Sequence, residues 1–116
     1  MQIEGEAKLL RIFVGESDKT GGTPVYEKIV FEARKEGLAG ATVTKGIMGF
    51  GGSSRLHTAK ILRLSEDMPL VIELVDSEEK IEKFIAVISK IFEDANCGGL
   101  ITMEKMQIIK YTANKK

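Results

Sequence analysis

One cysteine, one histidine and no net charge are the first constraints on this chain. Cys97 stands alone, so neither an intramolecular disulfide nor a four-cysteine zinc site can form, and a reducing cytosol suits it. Its expected role is that of a small apolar filler at a helix end. His57 is the only histidine. No Asp or Glu stands near it in a metal-ligand spacing, and a Ser–His nucleophile would lack its third, orienting group. It reads as a solvated loop residue. Lys+Arg and Asp+Glu both number 17, which excludes a nucleic-acid or membrane-surface binder driven by bulk charge, though not a local basic patch. No apolar run approaches the roughly 20 residues that span a bilayer. Met1 to Glu6 hold two glutamates and no apolar core, so no signal peptide is expected there. Leu70 to Val75 offers no aromatic stacking platform, which counts against an RNA-recognition module.

What is present suits one ordinary globular domain. Over 116 residues, 43% are hydrophobic and 29% charged, enough for a single modest core. We expect one domain over 1–116, with loose tails at 1–6 and 113–116.

The pattern reads as β-α-β, a long loop, then β-α-β. Lys8 to Val14 is a strand ended by Gly15, and a polar, glycine-rich loop follows to Thr23. Thr23 is the expected N-cap and Pro24 the first residue of a helix. Val25, Ile29, Val30 and Ala33 share one face of it, Phe31 points the other way, and Gly37 stops it. Ala41 to Met48 is the second strand, with Val43 and Ile47 opposite Thr42 and Thr44. Glycines then dominate to about Ala59, and Lys60 to Leu64 is a candidate short strand. Pro69 opens a strand over Leu70 to Val75. Asp76 is the expected cap of a second helix, with Glu79 as its capping-box partner. That helix carries the apolar stripe Ile81, Phe84, Ile85, Ile88, Ile91 and Phe92, and 96–99 break it. Leu100 to Met103 and Met106 to Tyr111 are the expected fourth and fifth strands.

Strand parity carries the main structural inference. Two helices cover only one face of a four-stranded sheet, and a half-covered sheet should alternate apolar with polar. These strands do not. Leu70, Ile72 and Leu74 oppose Val71 and Val75, while Leu9 and Phe13 oppose Leu10, Ile12 and Val14. The helix-free face therefore also demands cover, most simply from copies of the same chain in a closed symmetric oligomer.

The densest chemical signal is Gly46-Ile47-Met48-Gly49-Phe50-Gly51-Gly52-Ser53-Ser54-Arg55. Glycines admit close approach of a ligand to the backbone, successive N–H groups can cradle an anion, and Ser53, Ser54 and Arg55 add donors suited to phosphate. The spacing is neither the dinucleotide fingerprint nor a P-loop, and a hairpin tip explains it equally well. Gly98-Gly99 reads as a helix stop and Lys110 as a solvated strand residue. Glu78-Glu79 complement a helix N-terminus; neither they nor Glu93-Asp94 read as a catalytic pair. No active site assembles from these residues.

Two stretches nevertheless resemble a known family. The run from Gly40-Ala41-Thr42-Val43-Thr44 through Gly46-Ile47-Met48-Gly49-Phe50-Gly51, and the end Gly99-Leu100-Ile101-Thr102-Met103-Glu104 with Gln107-Ile108-Ile109-Lys110, are similar to the PII nitrogen-signalling proteins. The closer likeness is to a PII-like family of unknown function. It shares the Leu10-Arg11-Ile12-Phe13-Val14-Gly15-Glu16 strand, the Ser54-Arg55-Leu56-His57 loop and the Leu64-Ser65-Glu66-Asp67-Met68-Pro69 turn, so that the likeness runs from Ala7 to Tyr111.

The resemblance implies an α+β, ferredoxin-like βαββαβ fold with an extra C-terminal strand. It implies a homotrimer with an adenine nucleotide in clefts between subunits, and no required cofactor. Thr42, Gly49 and Gly51 would line an adenine or ribose site, with Gly46, Met48, Phe50, Ser53 and Arg55 around it. Gly98, Gly99 and Lys110 would face phosphates. The mobile loop, here 49–59, would relay the bound state to a protein target such as a membrane transporter or channel. The expected setting is cytoplasmic, with no nucleic acid and no membrane insertion, and the expected role is regulatory rather than enzymatic. PII chains carry a lysine where Gly99 stands and two arginines where this chain has Lys110 and Thr112, so AMP, ADP or a cyclic nucleotide is favoured over ATP. The modified loop tyrosine has no counterpart, so uridylylation is not expected. The alternatives weighed are a trimeric divalent-metal-binding tolerance protein of the same fold, disfavoured by one His and one Cys, and an acylphosphatase, which would need an Arg and an Asn in or near 15–22.

Overall fold

A computed structural model of the chain describes residues 5–50, 57–58 and 68–113. Its elements are β1 (Gly5–Gly15), β2 (Lys19–Thr20), β3 (Thr23–Pro24), α1 (Val25–Lys35), β4 (Thr42–Lys45), β5 (Met48–Gly49), β6 (His57–Thr58), β7 (Pro69–Asp76), α2 (Glu78–Ala95) and β8 (Leu100–Ile108). The main sheet has the order β4-β7-β1-β8, every neighbouring pair antiparallel. This is the βαββαβ arrangement of the ferredoxin-like fold, as expected. Both helices pack on one face. Leu10, Ile12, Leu70, Ile72 and Leu74 of the sheet meet Val25 and Ile29 of α1 and Ile81, Phe84, Ile88 and Ile91 of α2 in one buried cluster.

Several local expectations are corrected. The loop after β1 contains a small ladder, in which Thr20 faces Thr23 across Gly21 and Gly22. Both glycines have positive φ, +56° and +87°, as a two-residue hairpin turn between twisted strands requires. Thr23 is thus part of β3 and does not cap α1. Pro24 holds the N-cap position without a side-chain bond, and the Val25 amide donates to the Asp18 carbonyl instead (2.8 Å). The second strand stops at Lys45. The fourth and fifth strands are one, because β1 offers a continuous partner from Phe13, opposite Leu100, to Gly5, opposite Ile108. Residues 60–64 lie outside the described residues.

Asp76 is the most informative correction. Alternation along β7 sends Leu70, Ile72, Leu74 and then Asp76 inward, so the carboxylate is fully buried. It accepts from the amides of Ala39 (2.9 Å) and Ser77 (2.7 Å). The α2 cap is Ser77, whose Oγ accepts from the Lys80 amide at 3.3 Å. Asp76 thereby ties the segment after α1 to the end of β7.

At the other end of α2, Gly99 lies where strand and helix nearly touch. A Cβ there would stand 2.7 Å from the Phe92 ring and 2.9 Å from the Phe13 carbonyl oxygen.

Two denaturation experiments check these contacts. Asp76→Ala leaves two part-buried amides without their acceptor and should lower the unfolding free energy by about 1–3 kcal/mol. Gly99→Ala should cost about 1–3 kcal/mol by overpacking. A urea midpoint unchanged in either variant would show that the contact in question carries no stability.

Candidate functional site

The helix-free face bears the odd-numbered residues of β1 and β7. Register sets Leu9 beside Val75, Arg11 beside Glu73 and Phe13 beside Val71. Leu9 and Ala7 are only 5% and 4% exposed although no helix covers them; Phe13, Val71 and Val75 are half-buried. Leu9 and Ala7 thus find cover within the chain itself, whereas Phe13, Val71 and Val75 keep part of their surface open.

Arg11 sits in the middle of this face. Its Nε donates to Glu73 Oε2 at 2.8 Å and its Nη1 to Glu104 Oε1 at 2.6 Å. Glu73 is its direct cross-strand neighbour, whereas Glu104 stands diagonally, opposite Leu9. The bond to Glu73 raises the guanidinium pKa above its ordinary value; desolvation opposes it, and the charge of Glu104 adds to the rise. With both carboxylates engaged, Arg11 positions groups on this face more readily than it grips an incoming anion.

Beside this cluster lies an open concavity of ≈ 690 Å³. Leu9, Val75 and Met106 contribute apolar surface, and Arg11, Glu73 and Thr42 polar surface. Residues 39–42 form one wall and 109–111 another. The walls meet where the Tyr111 hydroxyl donates to the Ala39 carbonyl (3.0 Å). Clefts of this size, with apolar lining and a few convergent polar groups, suit small organic ligands.

The residues expected to bind a nucleotide fall into three places. Thr42 and Lys110 line the concavity. Gly46, Met48, Gly49 and Phe50 lie beyond the far end of β4, against Pro69. The Gly46 amide donates to the Pro69 carbonyl (2.7 Å), and a Cβ on Gly46 or Gly49 would stand 3.0 or 3.1 Å from the Pro69 ring. Ile47, Met48 and Phe50 are 78%, 59% and 76% exposed there. Gly98 and Gly99 precede β8 on the opposite edge of the sheet, roughly 14 Å away across three strand spacings. Gly51, Ser53 and Arg55 lie outside the described residues. Of the expected set, among the described residues, a single chain brings only Thr42 and Lys110 into the concavity. It adds Arg11, Glu73 and Tyr111, which sequence reasoning did not single out as site residues. A lone arginine in the apolar run of β1 was the available signal for the first; Tyr111 lies beyond the last strand and gave none.

Cys97 is half-buried and free. Desolvation first, then the charge of Asp18, raise its pKa, so at neutral pH it is a protonated packing residue. Among the described residues no three His, Cys, Asp or Glu side chains gather in a way that could hold a metal ion, and no helix is long and apolar enough to cross a membrane.

In three dimensions the chain is similar to CPII, a nitrogen regulatory PII-like protein from Thiomonas intermedia K12, in its complex with ADP, AMP and bicarbonate. The TM-score is 0.68 at 17% identity, covering 89% of this chain and 88% of that one; at that identity the likeness shows the PII-like fold alone. In sequence, it is 37% identical over 102 residues to a UPF0166 protein of Aquifex aeolicus (strain VF5), covering 88% of this chain and 92% of that protein. It is 38% identical over 105 residues to a UPF0166 protein of Methanocaldococcus jannaschii, covering 90% and 94%. Residues 7–108 match the DUF190 family, described as "Uncharacterized ACR, COG1993", and the chain belongs to that family.

Proposed function

We propose that the protein is a PII-like regulator which binds an adenine nucleotide, AMP or ADP, at clefts between the subunits of a homotrimer. The observation that carries this reading is the concavity on the helix-free face. It combines apolar surface from Leu9, Val75 and Met106 with Thr42, Glu73 and the cation of Lys110, which suits a flat, partly apolar base linked to an anionic group. Its openness on one chain fits a site completed by a neighbour. In such a ring the Gly46–Phe50 turn on one sheet edge and the Gly98-Gly99 turn on the other would come from different subunits. Ser53 and Arg55 would add phosphate donors. Segment 49–59 would signal the bound state to a protein target such as a membrane transporter or channel, in the cytoplasm and without catalysis. The solved complex of the PII-like protein CPII with ADP and AMP supports the choice of ligand class.

Thermal denaturation with and without AMP tests this. A ligand at 100 times its Kd stabilises the native state by about 2.7 kcal/mol, so Tm should rise by several degrees. Thr42 is exposed, and Thr42→Trp should fill the cleft and abolish the rise without lowering the ligand-free Tm. If millimolar AMP, ADP and cyclic AMP all leave Tm unchanged, the reading is wrong. A full shift in Thr42→Trp would move the ligand to another site.

A further inference from the structure

We infer that Tyr111 is a positioning residue for the ligand of this cleft: its hydroxyl pins the strap 109–111, so that Lys110 is held at the rim where an anionic group can meet it. The inference rests on the reading of the cleft as a nucleotide site.

The strap is short for what it crosses. β8 ends at Ile108, opposite Gly5 on β1, and Tyr111 bonds to Ala39, three residues before edge strand β4. The order β4-β7-β1-β8 puts three strand spacings, roughly 14 Å, between β8 and the segment before β4. Three extended residues reach roughly 10 Å, so the Tyr111 side chain makes up the rest of the crossing.

Its anchor is fixed. The Ala39 amide donates to the buried Asp76 carboxylate (2.9 Å), and the Gly37 carbonyl accepts from Lys80 Nζ of α2 (3.0 Å). The carbonyl that Tyr111 reaches thus belongs to a wall braced from β7 and α2. Lys110 itself is exposed, lines the cleft and makes no ion pair among the described residues. Its neighbour Ile109 is 84% exposed. The strap, then, is what places the ammonium. Loosening it would spread Lys110 over more positions and raise the ordering cost of binding an anion.

A ring that merely fills space would work as well in phenylalanine, so Tyr111→Phe isolates the hydroxyl. Calorimetric titration of the full chain with AMP and with adenosine, in wild type, Tyr111→Phe, Lys110→Ala and the double variant, tests the inference. Tyr111→Phe should raise the AMP Kd about 3- to 10-fold, the worth of one neutral hydrogen bond, and leave the adenosine Kd unchanged. In the Lys110→Ala background it should have no further effect, the signature of residues acting as a unit. Wild-type AMP affinity in Tyr111→Phe, an equal loss for adenosine or an additive double variant would each overturn the inference. Wild type that binds neither ligand would overturn the reading of the cleft together with this one, whereas AMP binding indifferent to the hydroxyl overturns this one alone.

Discussion

A sheet that is apolar on both faces, served by one layer of helices, is the constraint on which everything else depends. α1 and α2 take Leu10, Ile12, Leu70, Ile72 and Leu74 out of water. The opposite face keeps Phe13, Val71 and Val75 half-buried. Full burial of one such side chain is worth about 1.5–3 kcal/mol, so covering several of them is a substantial drive to associate. Among the described residues the chain supplies partial cover of its own, at the end where Leu9 and residues 109–111 line the same cleft.

The polar groups on this face sharpen the constraint. Arg11, Glu73 and Glu104 form a cluster with one more negative than positive charge. Covering such a cluster without further partners is unfavourable, because desolvation of its net negative charge outweighs what the two surface pairs return. A covering surface must therefore leave these residues wetted, or bring donors to them. The cleft beside them is the consequence: a part of the face shaped by the sheet, the braced wall 39–42 and the strap, open where a neighbour or a ligand can finish it.

Much of this was legible in the sequence because it follows from period alone. The opposition of Leu70, Ile72 and Leu74 to Val71 and Val75 gave the two-faced sheet, and the stripe from Ile81 to Phe92 gave α2. The glycine string from Gly46 to Gly51 gave the family. Asp76 misled because its residue type suits a helix cap, while alternation carried it one step further into the core. Glu104 and Lys105 interrupt the apolar pattern of β8 and suggested two strands, yet an edge strand with one solvated side tolerates them. The Arg11–Glu73, Arg11–Glu104 and Tyr111–Ala39 contacts join residues 62, 93 and 72 positions apart. They depend on strand register and on the path of the chain beyond β8, which no local pattern encodes.

If the helix-free face is the organising constraint, the assembly state of the ligand-free chain tests it most directly. Sedimentation equilibrium at micromolar concentration should return three times the 12.8 kDa of the chain, with no dissociation on tenfold dilution. A single ideal species of 12.8 kDa would show that the face is stable in water and would contradict the account.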